Sequence, residues 1–217
     1  MEHSPPPAVV DESMIAGTDG YADAADGLVR RYEGVSFAEK HHAILGLIPD
    51  APCRVLDIGA GTGADAAWFA ERGHLVVAVE PTDELRLPGM ALHRSPLIEW
   101  VKDGLPRLEV TIGTGQEFDV VMMTAVWMHL DAMERRDAMP RVASLVRPGG
   151  VLIMSLRHGP PAPGRRMFDV SPNETIPLAQ AHGLRSILNV RTRSALLGNR
   201  RAGVMWSRLA FERTRGG

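Results

Sequence analysis

The sequence predicts an α/β fold: one domain, a mostly parallel sheet of about seven strands with helices on both faces, and an antiparallel last strand. Three observations carry that expectation. Short apolar runs at residues 55–58, 74–79, 97–101, 118–127 and 151–156 alternate with helix-forming stretches, and their near-continuous apolarity suits strands covered on both faces. Residues 55–80 read as strand, glycine loop, helix and second strand, which is half of a mononucleotide-binding unit. Gly198, Asn199 and Gly203 make an open turn between the two final apolar runs; with no crossover helix there, the last strand enters antiparallel. A chain of 217 residues suffices for one well-cored domain and is too short for two with a linker.

The elements follow in order. Residues 1–20, with Pro5, Pro6, Pro7, Gly17 and Gly20 and no periodicity, are expected to form a flexible tail. Residues 21–50 form a helical cap segment. Ala24, Ala25, Leu28 and Val29 recur at helical spacing, and the capping box Ser36 to Glu39 opens a second helix that runs to about Leu47. Pro49 and Pro52 close it, and residues 51–217 make the main domain. Val55, Leu56 and Ile58 start the first strand, and residues 64–72, rich in Ala with Trp68 and Phe69, form a helix that Gly73 ends. The second strand, 74–79, carries Glu80 at its carboxyl edge. Thr82 caps the next helix, which Pro88 and Gly89 should interrupt or shorten before Leu92. The third strand, 97–101, leads to Asp103 and Gly104; the fourth, 118–127, is apolar enough to be central. A helix over 131–146 should kink or split at Pro140. Arg147-Pro148-Gly149-Gly150 is then a turn before the fifth strand. Ser171 begins a second capping-box pattern, but Pro177 moves the expected helix start to near Thr175, and Gly183 ends it. Residues 184–191 and 204–211 close the sheet.

Composition narrows the function. Lys+Arg 24 against Asp+Glu 26 leaves no bulk attraction to nucleic acid or to acidic membranes, which favours a small-molecule partner. The sole cysteine, Cys53, excludes an intramolecular disulfide and makes a reducing cytoplasm the default location. No signal-peptide pattern opens the chain, and the longest apolar run, 120–128, is too short to span a bilayer. No metal-ligand cluster, repeat or Ser-His-Asp signature is present; His41 and His42 read as helix surface, and nothing marks an oligomeric state.

The ligand is read from the first loop. Gly59, Gly61 and Ala64 satisfy a dinucleotide fingerprint, so glycine spacing leaves a NAD-type oxidoreductase open. Asp57 discriminates. A carboxylate at the mouth of the crevice opposes a pyrophosphate and favours S-adenosylmethionine, whose ammonium and sulfonium are both positive. The absence of Lys and Arg from the loop agrees with a ligand that has no phosphates. Glu80 suits ribose hydroxyls in either case.

With DIGAGTG at 57–63, AVEP at 78–81, Phe118-Asp119 and the basic-Pro-Gly-Gly turn at 147–150, the chain resembles the class I S-adenosylmethionine-dependent methyltransferases. The resemblance implies a Rossmann-like domain whose Asp57 orients the methionine amino group. Gly59, Ala60, Gly61 and Gly63 would line the cofactor, Glu80 and Pro81 would meet the ribose, and Asp103 with Gly104 would meet the adenine. Thr124 and Ala125 would flank the cofactor, and Tyr21 would touch its methionine end. Tyr32, Trp127, His129, Arg157 and His158 would face the substrate, with His129 as candidate general base. Arg165 and Arg166, in the loop beyond, would suit an anionic substrate. Thr124-Ala125-Val126-Trp127 departs from the Asp/Asn-Pro-Pro-aromatic signature of base- and glutamine-modifying relatives, which counts against DNA adenine methylation. The implied reaction is in-line methyl transfer to an O, N or S atom of a small molecule, releasing S-adenosylhomocysteine. A tRNA- or protein-directed methyltransferase and a non-catalytic cofactor-binding module remain as alternatives beside the oxidoreductase.

Overall fold

The computed structural model describes residues 15–215. Helix α1 (Ala25–Glu33) and helix α2 (Phe37–His41), the latter continued by a 3₁₀ turn over His42–Leu47, precede the first strand. Then come β1 (Arg54–Ile58), α3 (Ala64–Ala70), β2 (Leu75–Val79), α4 (Asp83–Leu92), β3 (Ile98–Val101), α5 (Glu109–Gly113) and β4 (Phe118–Met123). A 3₁₀ turn at Trp127–His129 leads into α6 (Ala132–Leu145), β5 (Val146–His158), α7 (Pro172–Gln180), β6 (Leu184–Arg193), α8 (Leu197–Arg201) and β7 (Met205–Arg213).

Seven strands form one sheet in the order β3-β2-β1-β4-β5-β7-β6. β1 to β5 pair in parallel, and β7 inserts antiparallel between β5 and β6. The strand order reverses between β1 and β4, so a crevice opens at the carboxyl edge of those two strands. Alternation along the strands separates two cores. Leu56, Ile58, Val121, Met123, Leu152 and Met154 pack with Ala138, Met139 and Val142 of α6. Val55, Val76, Ala78, Val120, Met122 and Ile153 pack instead with Ala66 and Phe69 of α3 and Phe37 of α2. Helices therefore cover both faces, as the apolar strands require.

Several boundaries differ from the sequence reading, each for a physical reason. Within the tail expected as far as Gly20, Ala16 donates its N–H to Leu105 O at 2.9 Å, while residues 1–14 lie outside the described residues. β4 stops at Met123, four residues earlier than expected, because Ala125 takes a left-handed φ of 60° and turns the chain away. β5 begins at Val146, which pairs with Phe118; the Arg147–Gly150 stretch is a bulge where the register shifts, not a turn before the strand. α6 runs unbroken through Pro140, and its start is fixed by a capping box between Asp131 and Glu134. α7 starts at Pro172, not near Thr175: Ser171 caps it, and a proline at the first helical position gives up an N–H that would have no partner anyway. α8 fills what reads in sequence as an open turn, and the short α5 has no sequence signal.

α4 is also continuous across Pro88 and Gly89. Tertiary contact explains the glycine. A Cβ at Gly89 would sit 2.5 Å from Thr62 O and 2.7 Å from Trp100 Cη2, so the helix touches the glycine loop there. Gly89→Ala should destabilise the protein by about 1–3 kcal/mol through overpacking, outweighing the roughly 1 kcal/mol that Ala gains over Gly in a helix. The readout is a lower urea midpoint at unchanged slope; an unchanged or higher midpoint would mean that α4 moves off the loop freely.

Candidate active site

β1 ends in a loop whose Gly59 and Gly61 adopt φ of 72° and 60°. Those values let the amides of Gly59 and Ala60 both donate to Val79 O, at 2.8 and 2.9 Å, and tie the loop to β2. Gly59 also lies so near the turn after β4 that a Cβ would meet Val126 Cγ2 at 2.5 Å. Glu80, just past β2 and 5% exposed, accepts from Gly61 N and Thr82 N at 2.8 Å each. Burial pushes its carboxyl above the usual range, and those two amides pull it back. Asp57 is 2% exposed, and its Oδ2 has no hydrogen-bond partner. Burial raises its carboxyl well above the usual range; Asp65 and Glu80 add to the rise and Lys40 opposes it. Asp65, in the first turn of α3, is the opposite case. Lys40 Nζ at 2.7 Å and His41 Nε2 at 2.9 Å hold its carboxyl well below the ordinary range despite burial.

The inner end of the N-terminal segment roofs this crevice. A Cβ on Gly17 would meet His129 Cβ at 2.6 Å, and one on Gly20 would run into Gly164 O. Tyr21 lies 2.9 Å, oxygen to nitrogen, from His129 Nε2, and His129 Nδ1 lies 2.7 Å from Arg166 O. A carbonyl only accepts, so Nδ1 carries the hydrogen and the Tyr21 hydroxyl donates to Nε2. Arg165 stacks on the Tyr21 ring, its Cζ 3.5 Å from the centroid. Glu33, at the end of α1, accepts from Thr62 Oγ1 at 2.5 Å and so binds the cap helix to the glycine loop.

Beneath the roof lies a cavity of about 270 Å³. One end is bounded by Ile15, Pro81 and Gly104, the middle by Asp57, Gly61 and Glu80. The other end lies against β5 and β7, where the register pairs Ser155 with Arg208 and Arg157 with Trp206 on one face. Ser155 Oγ accepts from Ala125 N at 2.9 Å, which holds the left-handed turn in place.

These groups fit S-adenosylmethionine. The buried, unpartnered Asp57 Oδ2 is an acceptor without a donor, which the ligand's ammonium would supply. The left-handed Gly59 and Gly61 bare the backbone along the middle of the cavity, and Glu80 keeps free lone pairs for ribose hydroxyls. The family model described as a methyltransferase domain matches residues 56–154, from within β1 to within β5. That match makes residues 56–154 similar to a methyltransferase domain. An uncharacterised methyltransferase of Mycobacterium tuberculosis is 35% identical over 117 residues, covering 51% of this chain and 42% of its own length. Rat glycine N-methyltransferase is 31% identical over 135 residues, covering 56% of this chain and 46% of its own length. The matched part thus spans less than half the length of these curated relatives. Magnesium protoporphyrin IX methyltransferase from Synechocystis PCC 6803, solved with bound S-adenosylmethionine, superposes with TM-score 0.68 at 16% identity over 97% of this chain and 100% of its own. The Burkholderia thailandensis 1,6-didemethyltoxoflavin-N1-methyltransferase gives 0.59 at 21% identity over 98% and 94%. At those identities the likeness is one of fold.

In this chain Tyr21, Tyr32, Asp57, Gly59, Ala60, Gly61, Glu80, Pro81, Gly104, Thr124, Ala125, His129 and Arg157 line the cavity. Gly63, Asp103, Trp127 and His158 are not among the residues that line it. Gly63 instead accommodates Trp100, whose Cη2 would lie 2.5 Å from a Cβ. Asp103 spends both oxygens on shaping its loop, accepting from Gly104 N and from the amide and hydroxyl of Thr111, each at 2.8 Å. Trp127 is fully buried among Met123, Leu130 and Met139, because β4 ends before it and the 3₁₀ turn rotates it inward. His158 follows Arg157 on β5 and so takes the opposite face, where its Nε2 meets Ser207 Oγ at 2.8 Å. His41, expected on a helix surface, is buried against Asp65. Lys40, Asp65, Trp206 and Arg208 are cavity residues that the sequence reading missed. A usable signal existed for two of them: Lys40 is one of two lysines, and Arg208 interrupts an apolar strand.

Proposed function

We propose that this protein is a methyltransferase that moves a methyl group from S-adenosylmethionine to an O, N or S atom of a small-molecule acceptor. The observation that carries this reading is the roof: residues from 15–21 and α1 line one side of the crevice, which holds a cavity of about 270 Å³ sized for small molecules. Two relatives and neighbours bear names of small acceptors, glycine and 1,6-didemethyltoxoflavin, which supports the reading by analogy. The near balance of 24 basic and 26 acidic residues gives a polynucleotide nothing to grip. The test is a screen for S-adenosylhomocysteine release with small amines, alcohols, phenols and thiols, run beside tRNA and unfolded protein. Turnover confined to a macromolecular substrate, with steep salt dependence, would overturn it.

When bound, S-adenosylmethionine supplies an electrophilic methyl group on a sulfonium, open to in-line displacement. The chain's own work is to hold and to exclude. Asp57 fixes the amino group, Glu80 the ribose, and the glycine loop lets both approach the backbone. Holding both reactants between the roof and the sheet makes the encounter effectively unimolecular. Tyr21 and His129 manage the proton: as the acceptor gives its proton to the Tyr21 oxygen, Tyr21 passes its own to His129 Nε2. Burial lowers the His129 pKa, so the imidazole stays neutral below the ordinary histidine value of about 6.5. His129→Ala is expected to cut kcat on the order of 100-fold, and in the wild type the acid limb of kcat/KM should fall below that ordinary value. Unchanged turnover across pH in the variant would remove His129 from the mechanism.

A further inference from the structure

Arg208 stands on β7 ahead of Leu209, Ala210 and Phe211 and is 6% exposed. A guanidinium keeps its proton inside a protein, so burying one calls for an anion or for full use of its donors. The chain supplies neither. Among the described residues no carboxylate lies within ion-pair distance, and the one hydrogen bond runs from Nε to Thr192 Oγ1 at 3.3 Å. Asp65, the carboxylate whose charge reaches it, is already held by Lys40 and His41. Yet Arg208 lines the same cavity as Asp57 and Glu80, with the Trp206 ring 5.4 Å from its Cζ.

We infer that Arg208 anchors a carboxylate carried by the methyl acceptor, at the end of the cavity formed by β5, β7 and residues 194–199. The inference rests on the methyltransferase reading and adds the acceptor's chemical class to it. The sheet order supports the placement. Glu80 and Asp57 follow β2 and end β1, where they suit a cationic cofactor; β4 comes next, and the cationic wall of Arg157 and Arg208 stands beyond it on β5 and β7. Anionic and cationic ends thus face each other across the place where β4 opens. A carboxylate matches the planar fork of one arginine through two parallel hydrogen bonds. Trp206 and Leu196 add apolar surface there beside the polar Ser194 and Asn199, which suits an uncharged body behind the carboxylate.

The test is calorimetric, on the full chain with and without saturating S-adenosylhomocysteine, titrated with acetate, benzoate, benzamide and inorganic phosphate. Acetate or benzoate should bind saturably, and benzoate at least tenfold more tightly than benzamide. Arg208→Lys and Arg208→Met should each weaken the carboxylates tenfold or more while the affinity for S-adenosylhomocysteine stays within twofold of wild type. The lysine variant keeps the charge, so one folded variant of the pair suffices. The inference is overturned if neither acid binds, if benzamide binds as well as benzoate, if the variants bind the acids as wild type does, or if phosphate is preferred. Loss of S-adenosylhomocysteine binding in the wild type would instead strike the underlying enzyme class, because the carboxylate titration without cofactor still reads the anchor.

Discussion

Asp57→Asn is expected to weaken S-adenosylmethionine binding about 100-fold, as the loss of one charge-assisted hydrogen bond of roughly 1.5–3 kcal/mol allows. The same change should leave the ligand-free protein at least as stable as wild type. Asp57 is buried with Asp65 and Glu80 near it, and those surroundings disfavour its ionised form. The sign follows from linkage. A carboxyl whose folded pKa lies above its unfolded value contributes stability at low pH. That contribution is lost as pH rises from the ordinary carboxylate range through the raised value. The asparagine variant lacks this loss, so its unliganded melting temperature should meet or exceed the wild type's at neutral pH. Wild-type affinity should also rise with pH as Asp57 ionises, while the variant's stays flatter. A thermal scan with and without S-adenosylmethionine checks both halves; a variant that melts lower and binds normally would refute them.

Glu80→Ala carries the second large effect and acts on the fold as well as on the ligand. Its two oxygens each accept one buried amide at 2.8 Å, from Gly61 and Thr82. Alanine leaves both donors without an acceptor, at about 1–3 kcal/mol each, so the expected loss is about 2–5 kcal/mol of stability. Relief of a buried charge offsets part of this, since burial raises the Glu80 pKa. Glu80→Gln keeps one acceptor oxygen and should lose about half as much stability, but it should bind S-adenosylmethionine nearly as poorly as the alanine variant. Urea denaturation separates the three proteins. Equal midpoints would mean that the glycine loop holds its shape without the carboxylate.

The parts legible in the sequence were those set by local backbone chemistry. Gly59, Gly61 and Glu80 work through turn geometry and through bonds between a loop and the adjoining strand, so spacing alone exposes them. Strand alternation is just as local, but it needs the correct strand end. β4 read four residues too long put Trp127 on the crevice, and the same uncertainty of face admitted His158 beside Arg157. Gly63 was a glycine of the right spacing with a different task, making room for Trp100. The helical cap over 21–50 was legible, but the contacts that seat it were not, because they span long separations: Tyr21 meets His129 at 108 residues' distance, and Gly17 and Gly20 serve as close-packing points with no periodic signature. Arg208 and the Lys40–Asp65 pair needed the register of β7 and the docking of α2 on α3 before their positions had meaning.

The claim on which the rest depends is that a buried, unpartnered carboxylate beside the glycine loop selects a cationic ligand over a phosphate-bearing one. Titrating wild-type protein with S-adenosylmethionine and with NAD in the same calorimeter tests it. Saturable binding of S-adenosylmethionine, with no detectable heat from NAD at millimolar concentration, is the expected result. Tight binding of NAD with none of S-adenosylmethionine would contradict it.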